Sequence, residues 1–307
     1  MRSNKTISPA LITACLCFFL VDVAIFSHSL SAFVLHAETE KGTFSVQSDC
    51  RESSLGETIM VTLAGPLFQQ AEAHMNGTAY HFVPKNNGTG EFFTLLPLGL
   101  SMKPGRYDCE IQIVFPESAI TNLPLKITVA EGSFISKKIS VDTKFTSLSA
   151  RNMKRIRKER LLLNEIYANR GAHWLGEGAF IFPAAGKIGG TFGEKRIFNR
   201  TVRSRHRGVD IRSPRSSPVK AANSGKVVLA RNLYFGGNTV ILDHGIGLYS
   251  IYCHLSKVNI SENMSVKKGA VIGLVGSTGR ATGPHLHWGT RIGNYYVNPL
   301  SLMPLPF

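Results

Sequence analysis

The chain predicts a mainly β protein: a small sandwich-like β domain, one basic helix, and a second antiparallel β unit. Three observations carry this. Short runs rich in β-branched and aromatic residues alternate apolar and polar positions at period two, and Gly, Asn and Pro turn signals separate those runs. Apolar positions recur at helical spacing in one stretch, between Ser147 and Asn169. With 307 residues and 43% apolar side chains, the chain can fill two cores of ordinary size.

Residues 1–37 read as a segment outside the fold. Arg2 and Lys5 precede an apolar stretch from Ala10 to Phe26, and small residues follow at Ser29 to Ala32 and at Ala37, the pattern of a secretory signal peptide. An uncleaved N-terminal anchor is the alternative, although the stretch is short for a membrane span and Asp22 interrupts it. Cys15 sits before most of the apolar run, the reverse of a lipoprotein processing site. Export removes Cys15 and Cys17 with the signal and permits a disulfide, for which Cys50 and Cys109 are the natural pair; two buried thiols are the other reading.

Residues 38–132 read as an all-β accessory domain. Its strand candidates are Thr43 to Val46, Thr58 to Leu63, Tyr80 to Val83, Phe92 to Leu95, Tyr107 to Val114 and Leu125 to Val129, with turns at Asn76-Gly77, Asn86-Asn87-Gly88 and Lys103-Pro104-Gly105. No catalytic constellation falls here, and His74 and His81 lack carboxylate or cysteine partners at metal spacing.

Residues 133–177 read as a basic helical linker. Met153, Ile156, Leu163, Ile166 and Tyr167 mark one face, while Arg151, Lys154, Arg155, Arg157, Lys158 and Arg160 crowd the other. Such a face is ordinarily solvated. The net charge of +15, from 35 Lys and Arg against 20 Asp and Glu, adds an attraction to anionic polymers and membrane surfaces. Nucleic acid is excluded as a partner, because no nucleic-acid module or aromatic-interleaved basic motif accompanies the charge.

Residues 178–307 hold the chemistry. Strand candidates are Lys226 to Ala230, Thr239 to Leu242, Leu248 to Cys253, Ala270 to Val275 and His285 to Arg291. In an extended strand alternate side chains share a face, so His285 and His287 project together, about 6 to 7 Å apart. His206 and Asp210, four residues apart, share a face in a strand or a helix. Two imidazoles and a carboxylate suit a borderline divalent metal and leave a position open for water. Either pair alone is a weak signal.

The surrounding blocks strengthen it. Phe182-Pro183, Thr191-Phe192-Gly193, His206 to Asp210, Asp243-His244-Gly245, Tyr252 to Leu255, Gly276 to Gly279, Gly283 to Trp288 and Val297-Asn298-Pro299 follow one another over about 125 residues. In order and spacing they resemble the lysostaphin-like, or LytM-type, zinc endopeptidases, which cut peptide bonds in bacterial peptidoglycan. The resemblance implies one zinc ion held by His206, Asp210 and His287, with His254 and His285 as unligated catalytic histidines. Of these we read His285 as the general base and His254 as the stabiliser of the intermediate, a division that the sequence does not itself order. It also implies a short, partly open antiparallel barrel-sandwich over 178–307, with the zinc at the floor of a groove. Its expected partner is the stem-peptide cross-link of peptidoglycan, its location the exported space or envelope, with membrane contact only if the N-terminal segment stays uncleaved.

Blander readings stand beside these. His254 lies in the alternating run Leu248 to Leu255, where an inward polar residue is usually a satisfied core group. His244 belongs to a turn and is structural; His173 is a linker residue or groove wall. Cys253, expected to point away from His254, is a small buried hydrophobe. Phe235-Gly236-Gly237 and Ser277-Thr278-Gly279 are expected to let a peptide backbone come close, although glycines also simply make turns. Among functions, a non-hydrolytic wall-binding regulator conflicts with the complete residue set. A non-haem iron oxygenase conflicts with the missing His-x-Asp/Glu element.

Overall fold

The structure, a computed structural model, describes residues 33–49, 54–85, 88–200 and 202–307. The N-terminal part builds two antiparallel sheets over a common core. One sheet runs in the order Phe33–Thr39, Gly42–Ser48, Thr58–Ala64, Phe92–Pro97 and Val83–Pro84; the other runs Thr78–His81, Gln70–Met75, Gly105–Val114 and Ile120–Val129. Along Ile120–Val129 the inward residues Leu123, Leu125, Ile127 and Val129 alternate with exposed ones, as a half-buried strand requires. Gln70–Met75 carries no β-branched residue and was not expected as a strand; its pairing with Gly105–Val114 imposes the conformation.

His74 and His81 are not isolated, contrary to expectation. Glu72 lies 3.0 Å from His74 Nε2 and 2.8 Å from His81 Nδ1, because His81 faces it across the strand pair. The first described strand, Phe33–Thr39, starts inside the segment read as an export signal. The rest of that segment lies outside the described residues, as does Cys50, and with them the signal reading and the Cys50–Cys109 pairing. Among the described residues no helix is long and apolar enough to cross a membrane.

The basic stretch forms the helix Ala150–Ala168, with the Ser149 hydroxyl accepting from the Asn152 amide at 3.3 Å as its N-cap. It does not run free between two units. Leu162, Leu163 and Ile166 pack on Leu229, Ile241, Tyr249 and Ile251, and Tyr167 meets Tyr249 edge-on at 5.2 Å. The Glu159 carboxylate accepts from the Tyr234 amide at 2.9 Å. Ahead of the helix, Ser136–Ile139 pairs in parallel with Lys195–Phe198. The segment read as a linker thus covers the outer face of the C-terminal sheet, and Leu248–Leu255 is buried on both sides for that reason.

That sheet runs in the order Lys187–Gly190, Val209–Arg212, Leu286–Ile292, Leu248–Leu255, Gly237–Asp243, Gly225–Leu233 and Ser265–Val266, with Tyr295–Val297 also paired to Leu286–Ile292. Two three-stranded sheets flank it: Ser136–Ile139, Lys195–Phe198 and Val202–Arg205, and Pro218–Lys220, Val271–Leu274 and Lys257–Val258. The strand order never returns to its start. The expected partly open barrel-sandwich is therefore a set of open sheets, and among the described residues no barrel closes.

The two β units share one apolar core. Trp174 stacks on Phe307 at 5.0 Å, Phe93 meets both rings edge-on, the Asn298 amide donates to Gly56 O at 2.6 Å, and Asn76 Nδ2 donates to the Tyr295 hydroxyl at 3.0 Å.

His244 is structural, but as a buried connector and not merely a turn residue. Its Nδ1 lies 2.7 Å from the Ser224 carbonyl, which can only accept, so Nδ1 carries the proton and Nε2 accepts from Ser250 Oγ at 2.7 Å. Burial lowers the His244 pKa from 6.5 to about 4. The unfolded chain binds this proton more readily, so stability from a neutral His244 is fully present above about pH 6.5 and is lost as pH falls towards 4. Over that window the loss amounts to roughly 3 kcal/mol. Urea unfolding at pH 7.5 and pH 5 is expected to show lower stability at pH 5, and His244→Gln is expected to shrink the difference. An unchanged difference in the variant contradicts the assignment.

Candidate metal centre

Three strands in register bring the polar residues to one face. On Val209–Arg212, Val209 and Ile211 enter the core and Asp210 points the other way; on Leu286–Ile292, Leu286 and Trp288 enter the core and His287 points the other way. Asp210 pairs with His287, and His287 with Cys253 on the next strand. His206 reaches the site from outside this register. Val202–Arg205 ends before it, and a corner through Arg207 and Gly208 leads into Val209–Arg212. That corner passes so close to the neighbouring strand that a Cβ on Gly208 would stand 2.4 Å from the Trp288 carbonyl oxygen.

The result is a triangle of ligand-type atoms. His206 Nε2 lies 3.0 Å from Asp210 Oδ1 and 3.0 Å from His287 Nδ1, and His287 Nδ1 lies 2.9 Å from Asp210 Oδ1. This is a group that can hold a metal ion. His206 Nδ1 lies 2.7 Å from the Thr191 carbonyl, to which it must donate, so a neutral His206 presents a bare Nε2 to the triangle. Burial lowers the His287 pKa to about 4, against the opposing pull of Asp210, so this imidazole is neutral at pH 7. Burial works against an ionised Asp210, but its close contacts with the His206 and His287 imidazoles outweigh it and hold the carboxyl well below the usual range.

Sequence reasoning missed the support behind Asp210. Arg196 donates to Asp210 Oδ2 at 2.7 Å and, through Nε and Nη2, to Glu194 Oε2 at 2.9 and 2.8 Å; Glu194 Oε1 accepts the Thr191 amide at 2.7 Å. Glu194 is 2% exposed. One buried ion-pair chain therefore fixes both the carboxylate and the segment whose carbonyl holds His206. The nearby Thr191-Phe192-Gly193 block was the signal available, and it said nothing of the arginine.

His254 and His285 stand beside the triangle. Their rings are 4.8 Å apart, and His285 Nε2 lies 3.7 Å from Asp210 Oδ1. His254 Nδ1 contacts the Thr278 carbonyl at 2.8 Å, and His285 Nδ1 the Gly283 carbonyl at 2.8 Å. Both rings thereby keep Nε2 free of its proton when neutral. Burial, aided by His285 and His287, drives the His254 pKa down to about 3.

The expected opposition of His254 and Cys253 is overturned. Cys253 and His254 together face Thr239 in a β-bulge, and His254 adopts a left-handed φ of 65°. Its side chain swings to the Cys253 side, and both line the same groove. In the glycine loops Phe235 and Gly236 line the groove, as expected of a wall, while a Cβ on Gly237 would clash with Thr278 and one on Gly279 with the Gly237 backbone. These glycines let two loops pack on each other. His173 is exposed and does not line the groove.

The groove encloses about 1560 Å³ and contains His206, Asp210, His254, His285 and His287. One wall comes from the helix and from residues 137–141. Among the described residues, none from the N-terminal sandwich lines it.

Residues 204–299 match the model of peptidase family M23. The chain is 42% identical over 102 residues to the DD-carboxypeptidase/endopeptidase Mpg of Neisseria meningitidis, covering 33% of this chain and 24% of the relative. It is 37% identical over 115 residues to the peptidoglycan DD-endopeptidase ShyA of Vibrio cholerae, covering 37% of this chain and 27% of that one. With lysostaphin of Staphylococcus simulans it shares 43% identity over 104 residues, 33% of this chain and 21% of lysostaphin. The chain thus spans about a quarter of the length of these relatives. A crystal structure from Pseudomonas aeruginosa attributed to peptidase M23 superposes with a TM-score of 0.64 at 26% identity, over 82% of this chain and 96% of that one. Residues 204–299 of the chain therefore form a peptidase family M23 domain.

Proposed function

We propose that this chain is an exported zinc endopeptidase that hydrolyses D-alanyl cross-links between the stem peptides of bacterial peptidoglycan. The observation that carries the proposal is the triangle His206, Asp210 and His287 with two further histidines beside it, each tied through Nδ1 to a backbone carbonyl. Relatives named as peptidoglycan DD-endopeptidases support the class of bond.

The donor set fits zinc. Two imidazole nitrogens and one carboxylate oxygen stand about 3 Å apart, and with His206 Nε2 and His287 Nδ1 unprotonated all three present lone pairs to a shared cation. Zinc so held supplies Lewis acidity to the scissile carbonyl and brings the pKa of a water towards about 7.

The chain's own residues supply the rest. His285, near Asp210 with Nδ1 tied to Gly283 O, takes a proton at Nε2 and returns it to the departing amine. His254, held by Thr278 O and by the bulge, directs its ring at the same point and stabilises charge on the tetrahedral carbon's oxygen. That role needs a second proton at Nε2, taken from solvent as the substrate oxygen gains charge and kept on His254 throughout, while the water's proton stays on His285 until the amine departs. The basic groove attracts an anionic wall polymer. A non-hydrolytic regulator has no use for two extra histidines with Nε2 bared.

Digestion of purified wall, followed by mass spectrometry of the new termini, is expected to reveal free D-alanyl carboxyl ends. A chelator is expected to cut the rate by more than about 100-fold, and added zinc to restore it. Hydrolysis indifferent to the chelator contradicts the proposal. His254→Ala and His285→Ala are each expected to keep about one zinc per chain while losing hydrolysis by roughly 10²- to 10⁴-fold. Loss of zinc from either variant would reassign that histidine as a ligand.

A further inference from the structure

The groove is strongly basic: eleven lysine and arginine side chains line it against two carboxylates, Glu159 and Asp210. Most of the arginines whose contacts are defined are occupied within the protein. Arg196 is spent on Glu194 and Asp210, Arg205 donates to Gly193 O and lies over Phe134, Arg291 donates to Gly293 O, and Arg207 lies over Tyr296.

Arg280 is different. Its guanidinium lies 4.2 Å from the Phe198 ring centroid and 4.6 Å from that of Phe235, held between two aromatic faces. Among the described residues no carboxylate and no hydrogen-bond acceptor meets it. Stacking fixes the plane of the fork and leaves its N–H edge, the part that binds a carboxylate in two parallel hydrogen bonds, without a partner. The backbone is fixed as well, since the Arg280 amide donates to Phe235 O at 2.9 Å. Partial burial, with Arg196 nearby, lowers the Arg280 pKa to about 10, so the side chain remains a cation at neutral pH and an incoming anion relieves the repulsion.

The position is close to the chemistry. Arg280 sits two residues after Thr278, whose carbonyl orients His254, and five before His285, and it lines the groove that holds both.

We infer that Arg280 is a specificity-determining residue that holds a free carboxylate of the cross-linked peptide near the scissile bond. This rests on the endopeptidase reading and adds the charge of the substrate to it. An uncharged bridge, or a peptide whose carboxylates are amidated, leaves the fork unpaired and binds more weakly.

The test uses the full zinc-loaded chain with Arg280→Gln and Arg280→Lys variants, and two purified cross-linked muropeptide dimers that differ only in having free or amidated carboxylates. The wild type is expected to favour the free-carboxylate dimer. Arg280→Gln is expected to raise KM for that dimer roughly 10- to 100-fold, with kcat little changed and less than about threefold effect on the amidated dimer. Arg280→Lys, which keeps the charge but not the fork, is expected to recover part of the loss. Calorimetric binding of both dimers to zinc-depleted protein is expected to repeat the discrimination without hydrolysis. Equal losses on both dimers, or a wild type that binds both alike, overturns the assignment of Arg280. If no dimer is hydrolysed but the binding difference persists, the endopeptidase reading falls and the carboxylate site stands.

Discussion

Everything at this site depends on three ligand-type atoms being held within about 3 Å of one another. Atoms bearing lone pairs do not gather without a compensating positive charge, and here the protein arranges the crowding deliberately. Backbone carbonyls of Thr191, Thr278 and Gly283 each capture the Nδ1 proton of a histidine, so the remaining nitrogen of each ring faces inwards unprotonated. Burial keeps His254 and His287 neutral at physiological pH by making the charged ring costly. The ion proposed for the site would resolve the conflict that the fold sets up.

The fold maintains this geometry through sheet register. A one-residue slip in the pairing of Val209–Arg212 with Leu286–Ile292 would send Asp210 or His287 into the core and Trp288 into the groove. Trp288 is fully buried, so the apolar side of the same strands penalises the slip. Behind Asp210, the chain from Arg196 to Glu194 to the Thr191 amide pins the carboxylate from its outer oxygen. The helix and its preceding strand lie on the same face of the sheet as the site and form a groove wall, so the segment between the two β units belongs mechanically to the C-terminal unit.

Sequence made the central strands and the five polar side chains legible because their signals are local: alternation in Leu248–Leu255, the His-x-His spacing, and the order of the glycine-containing blocks. Features that arise from pairing were hidden. The left-handed His254 exists because two residues oppose Thr239, a fact of register that alternation along one strand cannot reveal. Lys187–Gly190, Lys195–Phe198 and Val202–Arg205 are short, basic and border the groove, so they lack the apolar rhythm that marks a strand. Arg196 reads in sequence as one more cation among many, and only the turn at Thr191 to Glu194 shows that it belongs to Asp210.

The most direct measurement is anomalous X-ray diffraction at the zinc edge from crystals of the protein grown with zinc. The account predicts a single strong anomalous peak within about 2.3 Å of His206 Nε2, Asp210 Oδ1 and His287 Nδ1. Ordered protein with no peak at those three atoms, or with zinc held elsewhere, contradicts it.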